Sequence, residues 1–134
     1  MEQTLVLIKP DAVERGLVGK IITRFEEKNL QIQAIKMLHL TREMAEKLYE
    51  EHRGKTFYAQ LISYITLGPL IALILAGPQA VNRARLLIGD TAGTTPGTIR
   101  GDWAGSITYN LVHGSDSLRS ATREIKLFFP KGDS

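Results

Sequence analysis

The chain has 134 residues, of which 43% are hydrophobic and 23% are charged, and its formal net charge is +3. This balance is typical of one globular domain over positions 1–134 and excludes a disordered or fibrous protein. It also excludes a membrane span, since no apolar run approaches about 18 residues. The net charge is below what a dedicated nucleic-acid binder usually carries, but a few basic residues around a small anionic ligand would give the same excess, so charge alone does not separate these two functions. Because the sequence lacks cysteine and a basic leader pattern, the default location is cytoplasmic.

The first half of the chain alternates between strand and helix patterns. The segment TLVLIK at positions 4–9 has a continuous rather than an alternating apolar run and predicts a buried central strand, which Pro10 ends. Apolar residues at helical spacing predict a helix over 18–29, and the partly alternating segment 30–40 predicts a second strand. A second helix is expected over 41–51, because its first residue is a threonine that makes a good N-cap.

In the second half, helix patterns surround one more buried strand. Positions 57–66 have helical spacing, and positions 70–75 predict a third buried strand. Pro78 suits the first position of a helix that continues through position 88. Positions 89–105 are rich in glycine and threonine and predict a long functional loop, or a short helix between loops.

The C-terminal segment predicts one more helix. Ser117 or Ser120 is the expected cap of this helix near Glu124, and positions 127–129 resemble a short terminal strand. The mixed order of strands and helices predicts an α+β sandwich, with helices packed over one small sheet.

Three histidines are available for chemistry. His39 ends an apolar strand and His52 closes a helix, so both are interpreted as structural or surface residues. His113 is followed by a glycine and by hydroxyl residues, near the start of a helix. A neutral imidazole can act as both nucleophile and leaving group in phosphoryl transfer. From this context alone, His113 is either a catalytic residue or a loop histidine bonded to its neighbours.

Basic residues flank the segment rich in glycine and threonine. Lys9 lies at the end of the first strand, where ligands commonly bind in such folds. Arg85 and Arg100 suit bidentate phosphate contacts, and Thr91 offers a hydroxyl donor. Each charge taken singly also fits a solvated surface position. Positions 16–20 lack the spacing of a P-loop, and neither a GxGxxG segment nor the protein-kinase motifs occur. A phosphotransferase built on this sequence would therefore use side chains rather than a glycine cradle.

The segment NLVHGSDS at 110–117 resembles the NxxH(G/A)SDS pattern of the nucleoside diphosphate kinase family. The similarity extends along nearly the whole chain. It includes TLVLIKPDAVERGLVGKII at 4–22, HRGKTFY at 52–58, SYITLGP at 63–69 and PGTIRGD at 96–102. Several independent segments in the right order set this similarity apart from an accidental match.

The resemblance implies a ferredoxin-like α/β sandwich with a four-stranded antiparallel sheet covered by helices. It implies ping-pong transfer of the terminal phosphate from a nucleoside triphosphate to a nucleoside diphosphate. Magnesium would arrive on the nucleotide phosphates and not in a protein cage. The resemblance also implies a homo-oligomer, either a tetramer or a hexamer built from dimers. The alternatives are an inactive nucleotide-binding regulatory module of the same family and a nucleic-acid-binding domain on a similar sandwich.

The resemblance further implies a role for each matching residue. His113 would carry the phosphoryl group, and Glu124 would bond the far side of its imidazole, directly or through Ser115. Lys9 and Tyr49 would lie beside the transferring phosphate. The nucleotide-binding residues would be Arg85, Thr91 and Arg100 for the phosphates, Asn110 for the sugar hydroxyl, and Phe57 and Ile107 for the two faces of the base. Stacking on a base face would make the choice of base loose.

The segment between Thr91 and Arg100 departs from the family pattern. It is shorter than in most members, and the usual Asn-Pro after the threonine is absent. Trp103 stands where Phe or Tyr is commoner, and the C-terminus lacks the long tail that supports some hexamers. The loop commonly contributes nucleotide and subunit contacts in the family, so its shortening bears on Thr91, on base preference and on assembly.

Overall fold

The computed structural model describes residues 2–104 and 110–130. Within these ranges the elements follow one another as β1 (Gln3–Ile8), α1 (Pro10–Glu14), α2 (Val18–Glu27), β2 (Gln31–Leu38), α3 (Arg42–Leu48), a 3-10 helix (Glu50–His52), α4 (Tyr58–Ile65), β3 (Leu70–Ala76), α5 (Ala80–Ile88), α6 (Ile99–Trp103), β4 (Val112–Gly114) and α7 (Leu118–Phe128).

The four strands form one sheet in the order β2-β3-β1-β4, and each neighbouring pair is antiparallel. The two central strands carry the continuously apolar segments; every residue of β3 is buried. Strand β2 lies at an edge, and its residues alternate in exposure across an irregularity between Ile32 and Ala34. The sheet order and the helices that cover it confirm the ferredoxin-like sandwich.

A hydrophobic core lies on each face of the sheet. One core includes Val6 of β1 and Phe25 of α2, and helices α1 and α5 complete it. The other includes Leu7 of β1 and Phe128 of α7, and helices α3 and α4 complete it. His113 pairs with Leu7 in the register of β1 and β4, so its side chain lies on the α7 face.

Two local predictions require correction, and two short elements were not predicted. Strand β1 ends before Pro10, as expected, but Pro10 also opens the unpredicted helix α1, because proline suits the first turn of a helix. Helix α5 begins at Ala80 rather than at Pro78, after Gln79 adopts a left-handed φ of 54°.

At the C-terminal end, positions 127–129 do not form a strand, since α7 continues to Phe128 and buries that ring. Strand β4 was missed by the periodicity because it spans only Val112–Gly114. No helix in the described ranges is long and apolar enough to cross a membrane.

Candidate active site

His113 lies on β4 and is tied to the C-terminal helix by a carboxylate. Its Nε2 lies 3.0 Å from Oε1 of Glu124, and the Ser115 hydroxyl donates to the same oxygen at 2.7 Å. Glu124 is 4% exposed, whereas the His113 side chain remains 22% exposed. The ring is therefore held from its buried side and open on the other.

The hydrogen bonds set the charge and tautomer of this pair. Burial alone would raise the pKa of Glu124, but the hydrogen bonds from His113 and Ser115, together with the nearby basic groups of His113 and Arg123, hold the pKa below its usual value. An ionised Glu124 accepts hydrogen bonds and cannot donate. Nε2 of His113 therefore acts as the donor in this bond, and in the neutral tautomer that has this proton the lone pair lies on Nδ1.

Tyr49 packs edge-on against His113, with ring centroids 6.4 Å apart. Burial raises the pKa of the Tyr49 phenol, and the nearby charge of Glu124 raises it further. The phenol therefore stays protonated at neutral pH and keeps a hydrogen to donate.

Lys9 and Asn110 form a second connected pair. The Nζ atom of Lys9 donates to Oδ1 of Asn110 at 2.8 Å, and both side chains are buried. Burial lowers the pKa of Lys9 to about 8, although the opposite charge of Asp11 acts to raise it. The lysine is thus a desolvated cation near neutral pH, and an anion placed beside it would meet a strong field.

Arg100 is anchored by backbone carbonyls around β4. Its Nε, Nη1 and Nη2 atoms donate to the carbonyls of Asn110, Gly89 and Val112 at 3.3, 3.2 and 2.7 Å. Within the described residues, these bonds use three of the five N–H donors of the guanidinium, which leaves two that could bind a ligand. Burial and the positive charge of Arg85 lower the pKa of Arg100.

An open cleft of about 1060 Å³ is lined by residues that include Arg85, Thr91, Arg100 and His113. Lys9, Tyr49 and Asn110 are buried and are not part of this lining. Arg85 and Thr91 are exposed on its wall. His52 also lines the cleft, although the sequence interpretation placed it with the structural or surface residues. The signal that could have identified it is its position between Tyr49 and Phe57, because it contacts both of their rings.

Phe57 lies at the end of this aromatic group and is 42% exposed. Its ring centroid is 5.4 Å from that of His52, and the Lys55 ammonium lies 5.8 Å from the ring. Helical spacing alone would have assigned Phe57 to the core. Ile107, the other expected base contact, lies outside the described residues.

Hydrogen bonds and close contacts constrain the shortened loop before Arg100. Asp90 accepts hydrogen bonds from the amide and hydroxyl of Thr94 at 3.0 and 2.6 Å. A Cβ on Gly101 would lie 1.8 Å from the Thr95 carbonyl oxygen, so only glycine fits there. Arg24 of α2 bonds Asp102 at 2.8 Å and fixes α6, which carries Arg100.

The site thus contains two hydrogen-bonded groups and a cleft wall. His113, Glu124 and Ser115 form one group, against which the Tyr49 ring packs. Lys9, Asn110 and Arg100 form the other. Among the residues that the structure describes, no group of three or more histidine or acidic side chains could hold a metal ion.

Comparison with known proteins decides the family. The sequence model of the nucleoside diphosphate kinase family matches residues 2–134. The chain belongs to this family. It is 56% identical over 131 residues to the nucleoside diphosphate kinase of Ignicoccus hospitalis, covering 96% of this chain and 89% of that relative. It is 57% identical over 130 residues to that of Staphylothermus marinus, covering 96% and 92%.

Solved structures agree with the sequence comparison. The crystal structure of nucleoside diphosphate kinase from Encephalitozoon cuniculi matches with a TM-score of 0.97 at 38% identity, over 100% of this chain and 92% of that chain. Membership of the nucleoside diphosphate kinase family makes the protein a phosphotransferase that acts on nucleotides.

Proposed function

We propose that the protein transfers the terminal phosphoryl group of a nucleoside triphosphate to a nucleoside diphosphate through a phosphohistidine on His113. The observation that carries this proposal is the bonding of the imidazole. Nε2 is held by Glu124 at 3.0 Å, while the ring borders a cleft that is also lined by Arg85 and Arg100. A nucleophilic nitrogen beside two guanidinium groups suits an incoming phosphate.

In the first half-reaction the Nδ1 lone pair attacks the terminal phosphorus. The Nδ1–P bond forms as the bond to the bridging oxygen breaks, and the diphosphate leaves with that oxygen and its electron pair. The ring becomes a phosphorylated imidazolium that keeps its proton on Nε2. Glu124 stabilises this positive charge through the existing hydrogen bond. The second half-reaction reverses these steps with a different diphosphate as acceptor.

Lys9 and Tyr49 stabilise the charge that develops on the transferring group. Lys9 is buried, so its cation is poorly solvated and interacts strongly with a neighbouring phosphate. Tyr49 lies against the His113 ring and keeps its proton, so it can donate to a phosphate oxygen. Both groups are fixed before substrate arrives, which avoids reorganisation in the transition state.

The remaining site residues hold the nucleotide. Arg85, Arg100 and Thr91 bind its phosphates, and Asn110 binds a sugar hydroxyl. Phe57 stacks on one face of the base and Ile107 covers the other. The support for Phe57 is its exposure beside His52 of the cleft lining, since an exposed ring can stack on any base.

Magnesium would enter the site with the nucleotide. The carboxylates of Asp90 and Asp116 line the cleft, but they already accept bonds from Thr94 and Ser120. This donor set fits an ion held mainly by phosphate oxygens rather than a resident metal. Bound in this way, magnesium would neutralise part of the phosphate charge during transfer.

The protein assembles as a tetramer or hexamer built from dimers. Support comes from the edge strand β2, on which Ile35 and Met37 are 52% and 58% exposed. Apolar residues on an open strand edge favour pairing with another chain. Met37→Lys should lower the mass measured by light scattering; an unchanged mass would place the dimer contact elsewhere.

The cytoplasmic location stays a prediction, which cell fractionation would check.

The activity is tested by labelling. The protein is mixed with ATP carrying a terminal radioactive phosphate, and the acid-labile, base-stable label is measured before and after adding a nucleoside diphosphate. Label should appear and then be discharged to any diphosphate. His113→Ala should abolish labelling. His39→Ala is the matched control, because His39 bonds the Thr66 carbonyl. Nucleotide binding without labelling of the unaltered protein would instead favour the inactive regulatory module.

A further inference from the structure

A strained turn immediately precedes the strand that carries His113. Leu111 is fully buried and has a φ of 73°, which is in the left-handed region. The amide of Val112 donates to the carbonyl of Asn110 at 2.8 Å, two residues back. This bond closes a γ-turn with Leu111 at its centre, a conformation that is rare and unfavourable for a residue with a side chain.

The peptide groups of Leu111 are held by the segment that follows β1. Its amide donates to Oδ2 of Asp11 at 3.1 Å, and its carbonyl accepts from the Lys9 amide at 2.8 Å. Strained conformations persist where their surroundings over-determine them. Here one of the two restraints is a side chain, so it can be removed by substitution.

Arg100 also restrains the turn at Leu111. It donates to the carbonyls of Asn110 and Val112, on either side of Leu111. The turn therefore sets the position of Asn110 relative to His113. Asn110 bonds Lys9, and His113 directly follows Val112. A change of φ at Leu111 would move one group relative to the other.

We propose that Asp11 is a positioning residue for phosphoryl transfer, which holds Leu111 in its left-handed conformation and thereby sets His113 against Lys9 and Asn110. The proposal rests on the proposed function. Asp11 is the second residue of α1, and Pro10 before it fixes the entry of that helix. Two residues of the sequence Lys9-Pro10-Asp11 thus have separate roles. Lys9 supplies the cation for the phosphate, and Asp11 accepts from the Leu111 amide just before β4.

The rival explanation is electrostatic. Asp11 is negatively charged and acts on the Lys9 ammonium, so its removal could change the rate through charge alone. Asparagine separates the two effects, because its amide oxygen still accepts from the Leu111 amide while the charge is lost.

The first experiment compares Asp11→Ala, Asp11→Asn and Glu14→Ala in the steady-state transfer assay. Glu14→Ala is the matched control, because it removes an exposed carboxylate from the same helix. Asp11→Ala should lower kcat by about 10- to 100-fold, the usual consequence of misplacing a reacting group, with KM changed less than about threefold. Asp11→Asn should recover most of the lost kcat. Equal losses in the two Asp11 variants would overturn the proposal in favour of the charge effect.

The second experiment tests the strain itself. Asp11→Ala is combined with Leu111→Ala or with Leu111→Gly, which remove nearly the same side-chain volume but differ in tolerance of positive φ. Loss of Asp11 should reduce kcat less in the glycine background than in the alanine background, by about 5- to 30-fold. Equal losses in both backgrounds would refute the role of the turn.

Folding and activity are followed separately. Thermal melts identify any Leu111 variant that fails to fold, and the comparison of Asp11→Ala with Asp11→Asn then decides alone. Absence of transfer by the unaltered protein would mean that the proposed function has failed. An active parent with an equally active Asp11→Ala would mean that only the inference about Asp11 has failed.

Discussion

The buried ammonium of Lys9 makes the reaction sensitive to alkaline pH. Burial lowers its pKa to about 8 from the usual 10.5. If the charged form serves the transferring phosphate, kcat/KM should be constant below about pH 8 and fall by about tenfold per pH unit above it. Near pH 9 the value should be about one tenth of the plateau.

The lowered pKa of Lys9 also affects the stability of the protein when no nucleotide is bound. Between about pH 8 and 10.5 the unfolded chain binds the Lys9 proton and the folded chain does not, so stability rises with pH in that window. Below it, the buried charge destabilises the free protein by on the order of 3 kcal/mol. A bound triphosphate adds negative charge to that of Asp11 and should return the pKa of Lys9 toward its usual value. With saturating nucleotide, kcat should therefore stay constant to a higher pH than kcat/KM does.

The assay measures transfer from labelled ATP at limiting and at saturating nucleotide, from about pH 7 to about pH 9.5. Tyr49 cannot produce the same decline, because burial raises the pKa of its phenol above this range. Lys9→Arg is the control, since a guanidinium stays charged throughout; its rate should be lower but without the alkaline fall. A flat kcat/KM profile in the parent, or an equal fall in Lys9→Arg, would refute the reasoning.

Three further substitutions test other contacts. Arg100→Ala should weaken diphosphate binding in calorimetry by roughly 1.5–3 kcal/mol, the range for a charged hydrogen bond, and an unchanged affinity would place Arg100 away from the phosphates. Phe57→Ala should weaken purine and pyrimidine nucleotides alike, by about 1–3 kcal/mol; a loss confined to one class would contradict simple stacking. Glu124→Gln should lower the labelling rate of His113 by roughly 10- to 150-fold, through loss of the charged bond to Nε2, and an unchanged rate would show that the carboxylate charge is dispensable.

Local patterns predicted the central elements of the fold because burial there depends on sequence periodicity. Strand β3 is buried on both faces and appears as an unbroken apolar segment. Helix α3 begins after Thr41, whose hydroxyl accepts from the Met44 amide. Both features are determined by residues close together in the chain.

The strand that was missed and the helix start that was misplaced both depend on distant partners. Strand β4 is only three residues long, and its hydrogen bonds come from β1, about 100 positions earlier along the sequence. Helix α5 begins at Ala80 with the Glu2 carboxylate accepting from the Val81 amide. No window around either segment contains these partners, so propensity alone could not place them.

In the candidate site, too, some features are set by nearby residues and others by residues distant in the sequence. The sequence around His113 indicated its chemistry, and family resemblance supplied Glu124, which lies eleven residues further along the chain and bonds Nε2. The γ-turn at Leu111 left no trace in the sequence, because leucine is an unfavourable residue for positive φ. Because leucine disfavours a positive φ, contacts with surrounding residues must hold Leu111 in this conformation.

Those neighbours come from the other end of the chain. The Lys9 amide and the Asp11 carboxylate hold the two peptide groups of Leu111, while the Lys9 ammonium bonds Asn110. The segment after β1 therefore supplies both the cation and the frame for the strand that bears His113. Since one short segment performs both tasks, a shift of α1 would displace the lysine and the histidine together. A substitution that disturbs only one of them should be more damaging to transfer than to nucleotide affinity.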